Sequence, residues 1–325
     1  MQTYYSFVHP LVIIVILNWN SHEETAAAVA SVRKLDYPSY RIVLIDNGSK
    51  PESFQAIGKL ADEHTELIRS EVNLGYAGGC NLGIDLALRM NAGYVWLLNS
   101  DAVTEPGTLS SLVRRAEADS SIALVSPLIA SLQNPLELQN AGGRFNPEVP
   151  AYTLNKQIGT AMEWSLKYPD QIVLLGTALL VRVAALRRIG GFDPNLFAYW
   201  EDTDLSLRAL KAGYRNVIDF ESKIYHATDH PESRIAKPYY WYYMARNEIL
   251  FWKKHSSRRK KLHTLWWAYR TQLGFLRKNR DKEVLRRAIL AGLWDGWLNR
   301  TGAWKPDRNM PRVLARVIES HSSTV

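Results

Sequence analysis

The stretch YVWLLNSDAV, residues 94–103, decides the fold: an unbroken apolar run over 94–98 stops abruptly on Asn99, Ser100 and Asp101. A continuous apolar run of this length reads as a strand buried on both faces, in a sheet covered by helices on each side. Its polar tip then lies outside the carboxyl end of the strand, where open α/β sheets present side chains to ligands. The oxygen-rich tip suits a hard divalent cation such as Mg2+ or Mn2+. Taken alone, the stretch is more often just a strand followed by a turn, because Asn, Ser and Asp are ordinary turn formers. The rest of the chain shifts that balance.

Upstream, residues 11–17 form a first apolar strand ending at Asn18, followed by a helix over 23–34. Residues 41–45 form a second strand whose tip carries Asp46, which reads either as an acceptor for a nucleotide base or ribose or as part of an Asp-Asn-Gly turn. A helix over 53–64 and a short strand over 67–69 come next. In NLGYAGGCNLGI, residues 73–84, Gly75, Gly78 and Gly79 let the backbone approach a ligand, and Asn81 opens a helix. Their spacing is not G-x-G-x-x-G, which excludes the dinucleotide fingerprint but leaves a sugar-nucleotide pocket or plain loop packing. Downstream lie a helix over 106–118 and a strand over 122–126. The alternation predicts a mainly parallel sheet with helices on both faces. Residues 130–170 are rich in Gly and Pro and read as loops or short antiparallel strands.

Order resumes with the apolar stretch 172–183, interrupted at Gly176 and Thr177, and a helix over 184–189. The following helix opens on Glu201, Asp202 and Asp204. Acidic residues in a first turn favour the helix dipole, yet three in four positions exceed what capping needs, and their repulsion raises at least one pKa. That places a candidate general base here. Short strands over 216–220 and 223–226 end at His226, with His230 just beyond. A lone histidine is more often a packing residue, although one at a strand end beside an oxygen site is a candidate metal ligand. An aromatic helix over 239–255 carries Arg246, readable as a phosphate contact or as a solvated arginine.

Composition sets the limits. At 325 residues and 46% hydrophobic content the chain can build a sizeable core. Its single cysteine, Cys80, rules out an intramolecular disulfide and a cysteine-rich zinc site, and fits a reducing cytosol. The run over 11–17 is far too short to span a bilayer. Residues 251–325 hold 18 Lys and Arg against 5 Asp and Glu, a net of +13, whereas residues 1–250 hold 22 against 27, a net of −5. A basic tail on an acidic body points to a polyanionic partner. In residues 256–316 basic positions interleave with Leu, Trp and Tyr near helical spacing, the composition of a helix at a membrane interface. Packing onto the body, or onto a second copy to make a homodimer, would look similar. No recognised nucleic-acid module accompanies the tail. Residues 320–325 read as a disordered end.

Together the words VILNWN (15–20), VLIDNGS (43–49), NLGYAGGCNLGI (73–84), YVWLLNSDAV (94–103), GGFDPNLFAYWEDTDLSLRALKAGY (190–214) and YYMARNEILFWKKH (242–255) strongly resemble family 2 glycosyltransferases, particularly bacterial rhamnosyltransferase-like members. The resemblance implies a GT-A fold over residues 1–250 with a helical extension over 251–325. It also implies an inverting transfer from a nucleotide-sugar donor, with dTDP-L-rhamnose the first donor to test and UDP-hexoses next. The acceptor it implies is a saccharide or lipid-linked saccharide of the bacterial surface, met by a cytoplasmic enzyme peripheral to the inner face of the membrane. Residues 99–101 occupy the family's DXD position with Asn99 replacing the first aspartate, so Asp101 is the expected ligand of the divalent cation and His226 completes that site, with His230 a second candidate. Asp202 matches the catalytic base. Asn18, Asp46, Asn81, Ser100 and Arg246 are the expected donor contacts, and Trp200 and Glu201 the expected acceptor contacts. A non-catalytic nucleotide-binding scaffold is the alternative.

Overall fold

The structure, a computed structural model, describes residues 9–146, 151–227 and 237–306. The amino-terminal half alternates β1 (Val12–Asn18), α1 (His22–Val32), β2 (Tyr40–Asn47), α2 (Pro51–Gly58), β3 (Thr65–Ser70), α3 (Gly75–Arg89) and β4 (Tyr94–Asn99). After β4 come β5 (Ala102–Thr104), α4 (Thr108–Glu117), β6 (Ile122–Ser131) and β7 (Leu138–Asn140). The chain continues through β8 (Gly143–Asn146), β9 (Ala151–Leu154), α5 (Ile158–Lys167), β10 (Ile172–Val173), β11 (Ala178–Arg182) and α6 (Val183–Ile189). It then runs through α7 (Glu201–Lys211), β12 (Arg215–His226), α8 (Pro238–His255), α9 (Lys261–Lys278) and α10 (Glu283–Trp297).

The main sheet has the order β3-β2-β1-β4-β11-β6-β12-β5, with β7 added to β6. Strands β1 to β4 pair in parallel, as the sequence predicts, while β11 runs antiparallel between β4 and β6. Alternate residues of the apolar strands face opposite sides. Ile13, Val15, Val43, Val95 and Leu97 join a core capped by Ala77, Ile84, Leu186 and Leu205, and Val12, Ile14, Leu44, Trp96 and Leu98 join one capped by Val29, Val32, Leu109 and Leu112. Cys80 is buried in the first core as a free thiol. Each fully buried side chain of this size contributes roughly 1.5–3 kcal/mol, which is why the sheet is covered on both faces.

Three differences from the sequence reading matter for the site. Helix α3 starts at Gly75, not at Asn81, so Gly78 and Gly79 lie inside it. A side chain at Gly79 would collide with Leu17 and one at Gly75, where φ is 76°, with Phe197, so these glycines let the helix lie close on its neighbours. The two short strands expected over 216–226 are one strand, β12, with an irregularity between Asp219 and Lys223 that lets it run on to the sheet tip. In the irregular segment, the expected antiparallel strands appear as the small sheet β10-β8-β9, but α5 was not anticipated.

The carboxyl-terminal helices form a third core. Trp241, Tyr242, Ile249, Phe251, Leu285, Ile289 and Leu293 pack with Leu196, Trp200 and Leu207 of the preceding body. The boundary expected at 250/251 falls inside α8. Helix α10 lies close on α8 because Gly292 and Gly296 face its backbone; a Cβ at Gly296 would stand 2.9 Å from the Arg246 carbonyl. Packing onto the body, one of the readings open for the tail, is therefore what α10 does. Helix α9 nevertheless leaves Leu262, Trp266, Trp267 and Leu273 exposed. Among the described residues, no helix is long and apolar enough to cross a membrane. The readings made for residues 307–316 and 320–325 lie outside the described residues.

Candidate active site

The carboxyl ends of the strands converge on a cleft with two lobes. One, of about 470 Å3, is lined by Trp19, Ser21, Ser100, Asp101 and Gln133. The other, of about 420 Å3, is lined by Gly176, Thr177, Trp200, Glu201, Asp202 and His226. Tyr76, Asn99 and Tyr239 belong to both and mark where the lobes meet.

Pairing of β5 with the end of β12 builds the junction. Ala102 stands opposite His226, and the Ala227 amide donates to the Asp101 carbonyl at 2.8 Å. This brings His226 Nε2 to 3.1 Å from Asp101 Oδ1 and 3.3 Å from Asn99 Nδ2. Gln139 orients the ring: its Nε2 donates to the His226 carbonyl at 3.0 Å, which leaves its Oε1 to accept from Nδ1 at 3.1 Å. A proton on Nδ1 points at Gln139, and with Nε2 deprotonated its lone pair would face the aspartate. A nitrogen lone pair and a carboxylate oxygen turned toward each other suit a shared divalent cation, and Asn99 Oδ1, buried without a hydrogen-bond partner, adds an oxygen of the right chemistry. Among the described residues, no cluster of three or more His, Cys, Asp and Glu is present; a cation held by Asp101 and His226 would take its remaining ligands from water or phosphate oxygens. His230 lies outside the described residues.

The acidic run at the start of α7 divides into separate roles. Asp204 is fully buried and bonded to Arg208 at 2.7 Å, Lys254 at 2.8 Å and His255 at 2.7 Å. Burial works to raise its pKa, but the His255 hydrogen bond and the Arg208 and Lys254 charges outweigh it and hold the carboxyl below its usual range. It is a structural ion. Glu201 lies on the cleft wall with Oε2 unpartnered, and burial together with the charge of Asp202 pushes its pKa well above the carboxylate range. Burial also raises Asp202, but Asp202 Oδ2 accepts from the Gly176 amide at 2.9 Å and Oδ1 from the Thr203 amide at 2.6 Å, and both favour the ionised form. Of the adjacent pair, Asp202 is the better placed to carry the charge while Glu201 holds a proton.

The turn that delivers this pair is unusual. Phe197, Tyr199 and Trp200 all have left-handed backbone, with φ of 64°, 68° and 74°. Bulky residues rarely adopt it, each at a cost of order 1–3 kcal/mol, so the surroundings must hold the turn.

The other expected contacts divide between cleft and scaffold. Ser100 and Trp200 line the cleft. Asn18 is buried, its Nδ2 donating toward Asp46 Oδ1, Ser49 and Ser53 and its Oδ1 accepting from Ser21 and Thr25, so it braces the strand tips from beneath. Asp46 is also fully buried, yet its Oδ2 has no hydrogen bond and its nearest cation is Arg69 Nε at 3.9 Å. Asp46 is not among the residues that line either lobe. Asn81 does not reach the cleft: its amide exchanges two hydrogen bonds with the Phe192 backbone, both at 2.9 Å. Nor does Arg246, a fully buried arginine whose guanidinium is taken up by the carbonyls of Leu196 and Gly302 and by Asn247 Oδ1. It is neither a phosphate contact nor solvated. Sequence reasoning missed Gln139, Tyr76 and Tyr239. Gln139 carries no sequence signal, while Tyr76 sits inside the word 73–84, whose glycines dominate its reading.

The chain has the doubly covered GT-A sheet of solved glycosyltransferases. Its structure overlays on a mannosyltransferase from Pyrobaculum calidifontis, solved with GDP-Man and Mn2+, with a TM-score of 0.57 at 15% identity, covering 98% of this chain and 81% of that one. It overlays on S. aureus TarS residues 1–349 with a TM-score of 0.53 at 14% identity, covering 96% and 91%. The family model for glycosyl transferase family 2 matches residues 13–190, more than half of the sequence, and the chain belongs to that family. It is 28% identical over 212 residues to the N-acetylglucosaminyl-diphospho-decaprenol L-rhamnosyltransferase of Mycobacterium tuberculosis, an alignment covering 59% of this chain and 68% of the relative. It is also 27% identical over 169 residues to the rhamnosyltransferase WbbL of Escherichia coli K12, covering 48% and 63%.

Proposed function

We propose that this enzyme transfers a sugar with inversion from a nucleotide-sugar donor to a lipid-linked saccharide, in a divalent-cation-dependent reaction at the inner face of a bacterial membrane. The observation that carries the reading is the cleft whose lobes share Tyr76, Asn99 and Tyr239, with Asp101 on the first lobe and, 3.1 Å from it, His226 on the second together with Asp202. Inversion needs such an arrangement, with the base facing the acceptor hydroxyl and the leaving diphosphate departing on the far side of the anomeric carbon.

Asp202 takes the hydroxyl proton as the acceptor oxygen bonds to the anomeric carbon, and the bond to the diphosphate breaks with its electron pair passing to the leaving oxygen. Protonated Glu201 keeps a second negative charge away from that base and can donate a hydrogen bond to the acceptor. Asp101 and His226 would hold the cation, whose chemistry is to neutralise charge on the diphosphate. Ser100 and Trp19, on the first lobe, are the cleft residues placed for the donor. Trp200, on the second, offers an apolar face to an acceptor sugar.

The relative from M. tuberculosis, named for rhamnosyl transfer to a lipid diphosphosaccharide, supports dTDP-L-rhamnose as the first donor to test. UDP-hexoses are the second, because nothing in the sequence reads the sugar's hydroxyl pattern and a relative named for another sugar, a galactofuranosyltransferase from Mycolicibacterium smegmatis, is as similar, at 28% identity over 204 residues. The exposed Trp266, Trp267 and Leu262 of α9, with Arg270 stacked over both tryptophans, support peripheral contact with anionic lipid. The testing experiment offers dTDP-L-rhamnose, UDP-hexoses or GDP-mannose to the protein with a polyprenyl-diphospho-N-acetylglucosamine acceptor in anionic vesicles, and follows product mass. Transfer from dTDP-L-rhamnose is expected; transfer from another donor alone would replace the donor assignment, and none from any would overturn the reading.

A further inference from the structure

Arg246 and Asn247, adjacent on α8, spend their side chains on the turn that leads into the active-site acids. Asn247 Nδ2 lies within hydrogen-bond distance of three carbonyl oxygens of that turn, Leu196 at 2.7 Å, Ala198 at 2.8 Å and Tyr199 at 2.8 Å. Its Oδ1 accepts from Arg246 Nε at 2.8 Å, which fixes the amide's orientation. Arg246 Nη2 donates to the Leu196 carbonyl at 2.9 Å, while Nη1 reaches the carbonyl of Gly302, beyond α10, at 2.6 Å. Both residues are fully buried. A planar guanidinium and a planar amide, locked together and filled with carbonyl oxygens, form a rigid unit.

The clamped segment is the one that needs holding. Residues 197, 199 and 200 carry the left-handed backbone, and the residues that follow at once are Glu201 and Asp202. Carbonyls pulled onto one amide oppose relaxation of the turn, and the Arg246 bond to Gly302 ties the carboxyl-terminal extension into the same unit. We propose that Arg246 and Asn247 are positioning residues: a buried clamp that holds the left-handed turn 197–200 and so sets where the Glu201–Asp202 pair stands in the cleft, with the extension beyond α10 as its backing. This rests on the assignment of Asp202 as the base, and it gives the extension a part in catalysis separate from any membrane contact.

The test compares Asn247→Asp, Asn247→Ala and Arg246→Lys with the wild type and with Tyr242→Phe. The last removes the Tyr242 hydroxyl, with its bond to Asp295 between α8 and α10 and its contact with Arg246, but keeps the ring beneath the guanidinium and every bond from Arg246 and Asn247 to the turn. Asn247→Asp is nearly isosteric and replaces the donating amide by an oxygen facing three carbonyls. Melting temperature, kcat, donor KM and the pH profile of kcat/KM are measured on each variant that gives a cooperative melt. For the clamp variants kcat should fall at least about tenfold, the scale of misplacing a reacting group by a fraction of an ångström, with donor KM unchanged. Because burial is what raises Asp202, a loosened turn should also move the acid limb of the profile to lower pH. Arg246→Lys should retain more activity than either Asn247 variant, and Tyr242→Phe should lose stability only. Clamp variants that melt lower yet keep wild-type kcat and pH profile would overturn the proposal. If Asn247→Asp does not fold, Asn247→Ala and Arg246→Lys decide it. A wild type without transferase activity would instead refute the function itself, which separates the two failures.

Discussion

Asp202→Asn should lower kcat by at least about a hundredfold, the usual contribution of a general base, while donor affinity stays at the wild-type level. The substitution keeps the shape but only one of the two oxygens that accept from the Gly176 and Thr203 amides, so it removes proton acceptance together with one of those bonds, and a melting temperature near the wild-type value is needed to assign the loss to the base. In the wild type, activity should fall on the acid side as Asp202 gains its proton. Burial raises that carboxyl above its ordinary value, so the fall comes at a higher pH than a free aspartate would give. Because Glu201 adjoins it, the measured limb belongs to the pair, and the Asn variant should lose the limb as well as the rate. The checks are steady-state kinetics across pH and calorimetric donor binding; wild-type-like turnover would remove Asp202 from the mechanism.

Asp101→Ala carries the second large effect. It deletes the carboxylate that faces His226 Nε2 at 3.1 Å, so the proposed cation would keep only one nitrogen and the Asn99 oxygen. Donor affinity in Mn2+ should fall by more than the roughly 10–100-fold that follows loss of an outer hydrogen-bond partner of a metal ligand, and the variant should bind donor equally with Mn2+ or EDTA. Gln139→Leu should show the milder loss, since it frees the His226 ring without removing a ligand. A Asp101→Ala protein that keeps the wild-type response to Mn2+ would place the cation elsewhere.

Much of this was legible in the chain because the residues concerned sit at the ends of regular elements. Apolar runs ending in polar residues announced β1, β2 and β4, and their alternation with helices gave the parallel half of the sheet. Asp101, His226 and Asp202 come to the cleft for the same reason, each standing at a strand tip or helix start, and their roles are those proposed above. Illegible were contacts that depend on long-range pairing. Gln139 reaches His226 only because β7 and β12 flank β6. Arg246 looked like a phosphate ligand because an arginine in an aromatic helix has the same signature whether its partners are phosphates or carbonyls. Asn81, expected at a helix start, lies within α3 and bonds the Phe192 backbone, since the glycines before it serve helix packing and let the helix begin earlier.

The most direct test of the proposed cation-dependent donor site at Asp101 and His226, beside a base at Asp202, is a thermal-shift measurement of the purified protein. It is run with dTDP, UDP, GDP and CMP and their sugar conjugates, each in Mn2+, in Mg2+ and in EDTA. A ligand that binds only the folded state raises the melting temperature by mass action. The account predicts a rise for one nucleotide class that needs the divalent cation, persists in Asp202→Asn and vanishes in Asp101→Ala. A rise that ignores the cation, or no rise with any nucleotide, would contradict it.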